Sequence, residues 1–272
     1  MTPKKRYSLV ALAIGSFMYV SNALTILMYI WLPDHLIQNQ WISWSIQDLS
    51  SLVGILFAML LVYRIPTKKR EPKPMHIQDF LLTLGVVETT SLLSAMMILV
   101  VFTILGVENG TSIVDEIVGN DLLVQLVFVC ITGPIIEELI CRKLVIDKLR
   151  DTGEKQAIIL SALFFGLMHG NVYQFAYAFP VGLIFAYVYL RTNNISYTIL
   201  LHMLMNLTGV LTIPWITPLS IYATTYVIFF RRPKLHFEEP QENIPLKTII
   251  CNGGMLFAAV IIVIHFIVLG IH

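Results

Sequence analysis

All eighteen lysines and arginines of this 272-residue chain fall into five places, and that distribution restricts the fold more than any other feature. Nine apolar segments are readable, at about 7–31, 46–64, 80–105, 121–142, 156–170, 172–190, 195–213, 214–230 and 247–270. Most reach the ~17–25 residues that a membrane-spanning helix needs. The basic residues sit before the first segment and in the second, fourth, sixth and eighth connections, from Lys4 to Lys247. The other connections carry acids: Asp34, Glu108, Asp115, Glu116 and Asp121. If the segments alternate across a bilayer, every Lys and Arg lies on one side. The positive-inside rule then puts the N-terminus in the cytoplasm and the C-terminus outside.

Composition agrees. The chain is 57% hydrophobic and 13% charged, with mean hydropathy +0.77, well outside the soluble globular range. The expected fold class is all-α: a polytopic integral membrane protein of about eight to nine transmembrane helices. The segments at 156–170 and 214–230 are short, and one of them need not cross fully. The first segment is too long for the apolar region of a signal peptide and reads as a retained span. A net charge of +1 gives no electrostatic case for nucleic acid. Cys130, Cys141 and Cys251 lie in or beside apolar runs and form neither a C-x-x-C pair nor a disulfide framework.

The chemistry concentrates in Gly133-Pro134-Ile135-Ile136-Glu137-Glu138-Leu139-Ile140-Cys141-Arg142. A charged group at the centre of a bilayer helix costs on the order of 2.5–3.5 kcal/mol, and such groups are functional candidates by default. Glu138 and Arg142 are four apart and share a helix face, so they can pair. Glu137 points about 100° away and is left to face something else. Pro134 removes one backbone bond and crowds the carbonyl of Cys130. Taken alone, this cluster reads equally well as a charged helix end at the membrane interface.

Gly153, in the turn between the fourth and fifth segments, lies 16 residues after Glu137 and 16 before His169. In a helical hairpin both side chains would sit about 24 Å along their arms, at 1.5 Å per residue. A carboxylate and an imidazole can therefore meet across neighbouring helices. His202 and Asn206, four apart on the seventh segment, share a face. Each alone could be a helix-end or interhelical hydrogen bond. Glu88, inside the third segment, reads as a glutamate reaching for water near the inner face, with cavity lining or a bond to Arg142 as the other options.

Together, Glu137-Glu138-x-x-x-Arg142, Phe165-x-x-x-His169 and His202-x-x-x-Asn206 resemble the CAAX protease and bacteriocin-processing (CPBP, or Abi) family of intramembrane endopeptidases. That family includes the type II CAAX prenyl endopeptidases. The resemblance covers about 121–213, with 1–120 and 214–272 as flanking helices without a family signature. It implies an intramembrane cavity open to the cytoplasm, where Glu137 and His169 activate water while His202 and Asn206 hold the oxyanion. It also implies a peptide or membrane-anchored protein substrate, a multi-pass protein of a bacterial cell membrane, and a link to bacteriocin immunity or peptide processing. Residue chemistry is compatible with those roles, since peptide hydrolysis needs a base for water and donors for the oxyanion. Glu138 and Arg142 are expected as a structural ion pair. No cofactor is expected. The alternative is zinc on Glu137, His169 and His202, three ligands of normal type for a catalytic site. A non-catalytic immunity or regulatory protein keeping the same fold is a second reading. A transporter is a third, without an inverted repeat to support it.

Overall fold

The computed structural model describes residues 1–107, 119–213, 215–231, 235–238 and 244–270, and for 268–270 the backbone alone. Glu108, Asp115 and Glu116 fall outside the described residues. The described residues form helices and the connections between them, without a β-strand. Nine principal helices follow the nine apolar segments: α1 Pro3–Trp31, α2 Gln40–Val62, α3 Ile77–Leu105, α4 Leu122–Thr152, α5 Glu154–Leu167, α6 Val172–Thr192, α7 Ile195–Leu211, α8 Ile216–Tyr226 and α9 Gly253–Gly270. Short helical turns at Asp34–Ile37 and Leu246–Ile250 complete the set. Among the described residues, α1, α2, α3, α4 and α6 are long and apolar enough to cross a membrane, while α7 and most of α9 are shorter apolar helices. With 14 residues, α5 reaches only about 21 Å at 1.5 Å per residue, short of a hydrocarbon core of about 30 Å.

Local chemistry sets the ends. Side-chain oxygens of Thr2, Asn39, Asp121, Asn171 and Asn194 accept from free backbone N–H groups at the starts of α1, α2, α4, α6 and α7, the role short polar residues play at N-caps. Gly106 and Asn193 close α3 and α6 in the left-handed conformation that these residue types tolerate best.

The alternation read from the basic residues is present in the packing. Arg70 pairs with Asp151 at 3.0 Å. The Arg150 guanidinium donates to Asn193 Oδ1 at 3.2 Å, and the Thr152 hydroxyl bonds that of Tyr7 at 2.9 Å. Arg231 pairs with Asp79 at 3.1 Å. The N-terminal end of α1 and the basic connections therefore meet at one end of the bundle. At the other end, Trp44 donates to Asn120 Oδ1 at 3.3 Å and the Asp121 N–H to Gln40 Oε1 at 2.9 Å.

One apolar cluster joins α1, α2, α4, α5 and α9, from Tyr7 through Val145 to Ile261. A second, with Phe80, Val181, Phe185 and Leu201, joins α3, α6 and α7. Residues 1–120, 121–213 and 214–272 all contribute to the first cluster. Lipid tails are as apolar as leucine, so tight helix contact depends on small residues. At Gly182 of α6 a Cβ would lie 3.1 Å from Ala162 Cα and 3.0 Å from Phe165. That close approach of α6 to α5 places Phe185 over the polar site.

Candidate active site

Pro134 shapes the site before any acid does. Two stretches of α4, Gln125–Thr132 and Leu139–Ile146, are wound as wide π-turns around the α-helical Gly133–Glu138. Such turns recur at functional sites. The Gly133 N–H bonds Phe128 O, five residues back. In that register the missing proline N–H belongs to Val129 rather than to Cys130. Asn206 Nδ2 supplies the lost donor from α7, at 2.8 Å from Val129 O. An unpartnered carbonyl in lipid costs several kcal/mol, so this bond ties α7 to α4 about two turns ahead of the acids. The carbonyl left free is thus one residue earlier than regular α-helical spacing suggests.

The two glutamates have different surroundings. Glu138 and Arg142 are both fully buried. Arg142 Nε donates to Glu138 Oε2 at 2.9 Å and Nη2 to Oε1 at 3.0 Å. Arg142 Nη1 donates to Ser161 Oγ at 2.8 Å, and that hydroxyl donates to Cys141 O at 2.7 Å. The guanidinium lies 4.7 Å from the Phe165 ring centroid and 5.8 Å from that of Phe185, a desolvated cation–π arrangement. Glu137, with 24% of its side chain exposed, makes no such pair. Its Oε2 lies 3.8 Å from His169 Nε2 and 3.9 Å from His202 Nε2. Oε2 is itself buried and accepts no hydrogen bond among the described residues.

His169 is oriented by its own helix. Its Nδ1 lies 2.8 Å from Phe165 O. A carbonyl only accepts, so Nδ1 carries a proton, and in the neutral ring Nε2 is then the lone pair. That lone pair is on the side of Glu137. The spacing Phe165-x-x-x-His169 is therefore the spacing of a side-chain cap, with the two rings edge to face at 5.4 Å. Asn171 secures the next turn: its Nδ2 donates to His169 O at 3.1 Å while its Oδ1 caps α6 by accepting from Gln174 N. His202 lies between the two acids, with Nδ1 3.4 Å from Glu138 Oε1 and its ring against Phe165 and Phe185.

Of the six residues singled out in the sequence, Glu137, Glu138, Arg142, His169 and His202 thus converge on one region, while Asn206, one turn beyond His202 on α7, bonds Val129 O. Several neighbours had no sequence signal. Ser161 and Phe185 complete the arginine cradle. Asp48 of α2 reaches the Thr132 hydroxyl and lies within electrostatic range of Glu137, as does Tyr177 of α6. Glu88 is half-buried, and its Oε1 accepts from the Thr208 hydroxyl on α7. Nε, Nη1 and Nη2 of Arg142 each donate to Glu138 or Ser161.

This is an all-helical, multi-pass membrane chain with a carboxylate–imidazole cluster inside the bundle. Residues 119–208 match the family described as Type II CAAX prenyl endopeptidase Rce1-like, the relationship that the three motifs indicate. Among curated proteins, the chain is 33% identical over 100 residues to YdiL of Bacillus subtilis, named as a candidate membrane peptidase. It is 29% identical over 97 residues to MroQ of Staphylococcus aureus, named as a membrane-embedded CAAX protease. The matches cover 36% and 33% of this chain and 40% and 39% of the relatives. The chain therefore aligns with about two-fifths of each relative's length. No solved structure matches.

Proposed function

We propose that the protein is an intramembrane endopeptidase that hydrolyses a peptide bond in a peptide or a membrane-anchored protein, with Glu137 as general base. The observation that carries this reading is the placement of Glu137 Oε2, 3.8 Å from His169 Nε2 and 3.9 Å from His202 Nε2. Those separations are too long for direct hydrogen bonds. One water oxygen can reach both Glu137 and His169 at about 2.8 Å. Glu137 takes a proton as the water oxygen bonds to the scissile carbonyl carbon. The carbonyl oxygen becomes an oxyanion, held by the Asn206 amide hydrogen not committed to Val129 and by His202 in its imidazolium form, whose Nδ1 hydrogen faces Glu138 Oε1 and whose Nε2 hydrogen is free for the oxyanion. Collapse breaks the C–N bond, and the proton passes through His169 to the leaving amine. A positioned base contributes about 10²–10⁴ in rate and one oxyanion donor about 10²–10³. The nearby Asp48, absent from the motifs, adds a second carboxyl group on the Glu137 side.

Zinc on Glu137, His169 and His202 is the alternative. The donor types suit it, but metal bonds of 2.0–2.1 Å in a tetrahedron require ligand atoms about 3.3 Å apart. The Glu137 edges here are wider, at 3.8 and 3.9 Å. Among the described residues no three His, Cys, Asp or Glu side chains are grouped to hold a metal ion.

The test compares membrane proteomes of wild-type and Glu137→Ala cells. The expected result is accumulation of an uncleaved substrate in the variant, with the variant inserted at normal abundance. Identical proteomes with the phenotype retained would support a non-catalytic immunity or regulatory role instead.

A further inference from the structure

The last turn of α5 carries His169, and its carbonyls can be followed one by one. Phe164 O accepts from Met168 N at 2.9 Å, Gly166 O from His169 N at 3.4 Å and Leu167 O from Gly170 N at 3.2 Å. Phe165 O is taken by His169 Nδ1 and His169 O by Asn171 Nδ2. Only Met168 O is served from a distant part of the chain. His265 Nε2, on α9, lies 3.0 Å from it. The carbonyl can only accept, so Nε2 carries the proton and Nδ1 of that ring is an acceptor. Asn22 Nδ2 of α1 lies 3.0 Å from Nδ1 and donates to it, which fixes the tautomer. The result is a directed chain, Asn22 to His265 to the carbonyl beside His169. Both its side chains come from the flanks outside the matched 119–208.

We infer that His265, held by Asn22, is a positioning residue for His169. It pins the Met168–His169 peptide so that Nε2 of His169 stays on the Glu137 side. The inference rests on the reading of His169 as a site residue. Without His265, Met168 O is an unpartnered carbonyl inside the bundle, a state with a strong tendency to turn its peptide toward another donor. Rotation of that peptide displaces the cap between Nδ1 and Phe165 O, and the imidazole with it. On this reading the flanking helices α1 and α9 do more than enclose the family core: they complete one arm of its site.

The test needs no turnover, so it stands whether or not the peptidase reading does. Full-length protein in detergent is treated with diethylpyrocarbonate, and carbethoxylation of each histidine is followed by mass spectrometry. In His265→Leu, labelling of His169 should rise about tenfold, the effect of one net hydrogen bond on a local opening, while the buried His202 labels as in wild type. His265→Gln, which keeps a donor, should return His169 labelling toward wild type, and Asn22→Leu should fall between. If His265→Leu does not yield folded protein, Asn22→Leu against wild type decides the matter alone. Unchanged His169 labelling would overturn the inference. So would a parallel rise at His169 and His202, which would mean general loosening rather than positioning.

Discussion

Removing Arg142 is the most informative single perturbation of the fold. In Arg142→Ala, Glu138 loses both of its 2.9–3.0 Å charge-assisted bonds yet stays fully buried. Breaking a buried pair from one side costs about 3–5 kcal/mol, because the remaining charge is uncompensated. The same change frees the Ser161 hydroxyl and empties the space between Phe165 and Phe185, so the upper half of that range is expected. Total stabilities run to about 5–15 kcal/mol, and every 1.4 kcal/mol is a factor of ten. The folded-to-unfolded ratio should fall by roughly a thousandfold. The assay is reversible unfolding in mixed micelles with tryptophan fluorescence as readout. The double variant Glu138→Leu/Arg142→Met removes both charges, and such replacements are often neutral or stabilising. It should recover most of the stability. It should not recover cleavage, because Glu138 Oε1 also stands 3.4 Å from His202 Nδ1. A loss below about 1 kcal/mol in Arg142→Ala, well under the range for buried pairs, would refute this account of the pair.

Asn206→Ala should lower cleavage by about 10²–10³, the effect of one oxyanion donor, and should also destabilise the protein because Val129 O loses its partner; both are measurable on the same purified sample. Glu137→Ala should leave no cleavage, while Glu137→Gln keeps wild-type unfolding in micelles. Cysteine labelling at 36, 68, 152 and 236 should report outside, inside, inside and inside; position 113, expected outside, lies beyond the described residues. Labelling of 152 from outside would reverse the orientation. Elemental analysis of active protein should give no stoichiometric zinc, and activity lost on chelation and restored by zinc would replace the metal-free mechanism while leaving the peptidase reading standing.

The contacts that the sequence revealed were those set by regular helical geometry. Glu138 and Arg142 are one turn apart, and a single turn constrains a pair strongly. Glu137 and His169 are equidistant from Gly153 on the two arms of a hairpin, and their atoms are 3.8 Å apart. What was hidden depended on departures from that geometry or on remote partners. The Val129–Asn206 bond requires a π-turn ahead of Pro134, and the dipeptide Gly133-Pro134 signals a disturbance without giving its register. His265 and Asn22 are 243 residues apart, each a lone polar side chain in an apolar helix. Nothing in one sequence pairs them. Glu88 is an acid inside a span, and its partner Thr208 on α7 is 120 residues away, a pairing with no local spacing to reveal it.

Adjacent acids on a helix are of use to this site because they diverge. A rotation of about 100° between neighbours gives Glu138 to Arg142 and leaves Glu137 facing two imidazoles. If Glu138 were absent, Arg142 would be a buried cation without its carboxylate partner. If Arg142 were absent, His202 would lie between two uncompensated carboxylates, and its Nε2 hydrogen would be drawn to Glu137 instead of to substrate. The pair keeps the charge next to His202 neutral overall while presenting a carboxylate oxygen to Nδ1. Nδ1–H then points at that oxygen, and the imidazolium form has its Nε2 hydrogen left for an oxyanion. The fully buried pair and the partly exposed Glu137 are thus two parts of one device, and the α-helical stretch Gly133–Glu138 sets the angle between the two acids.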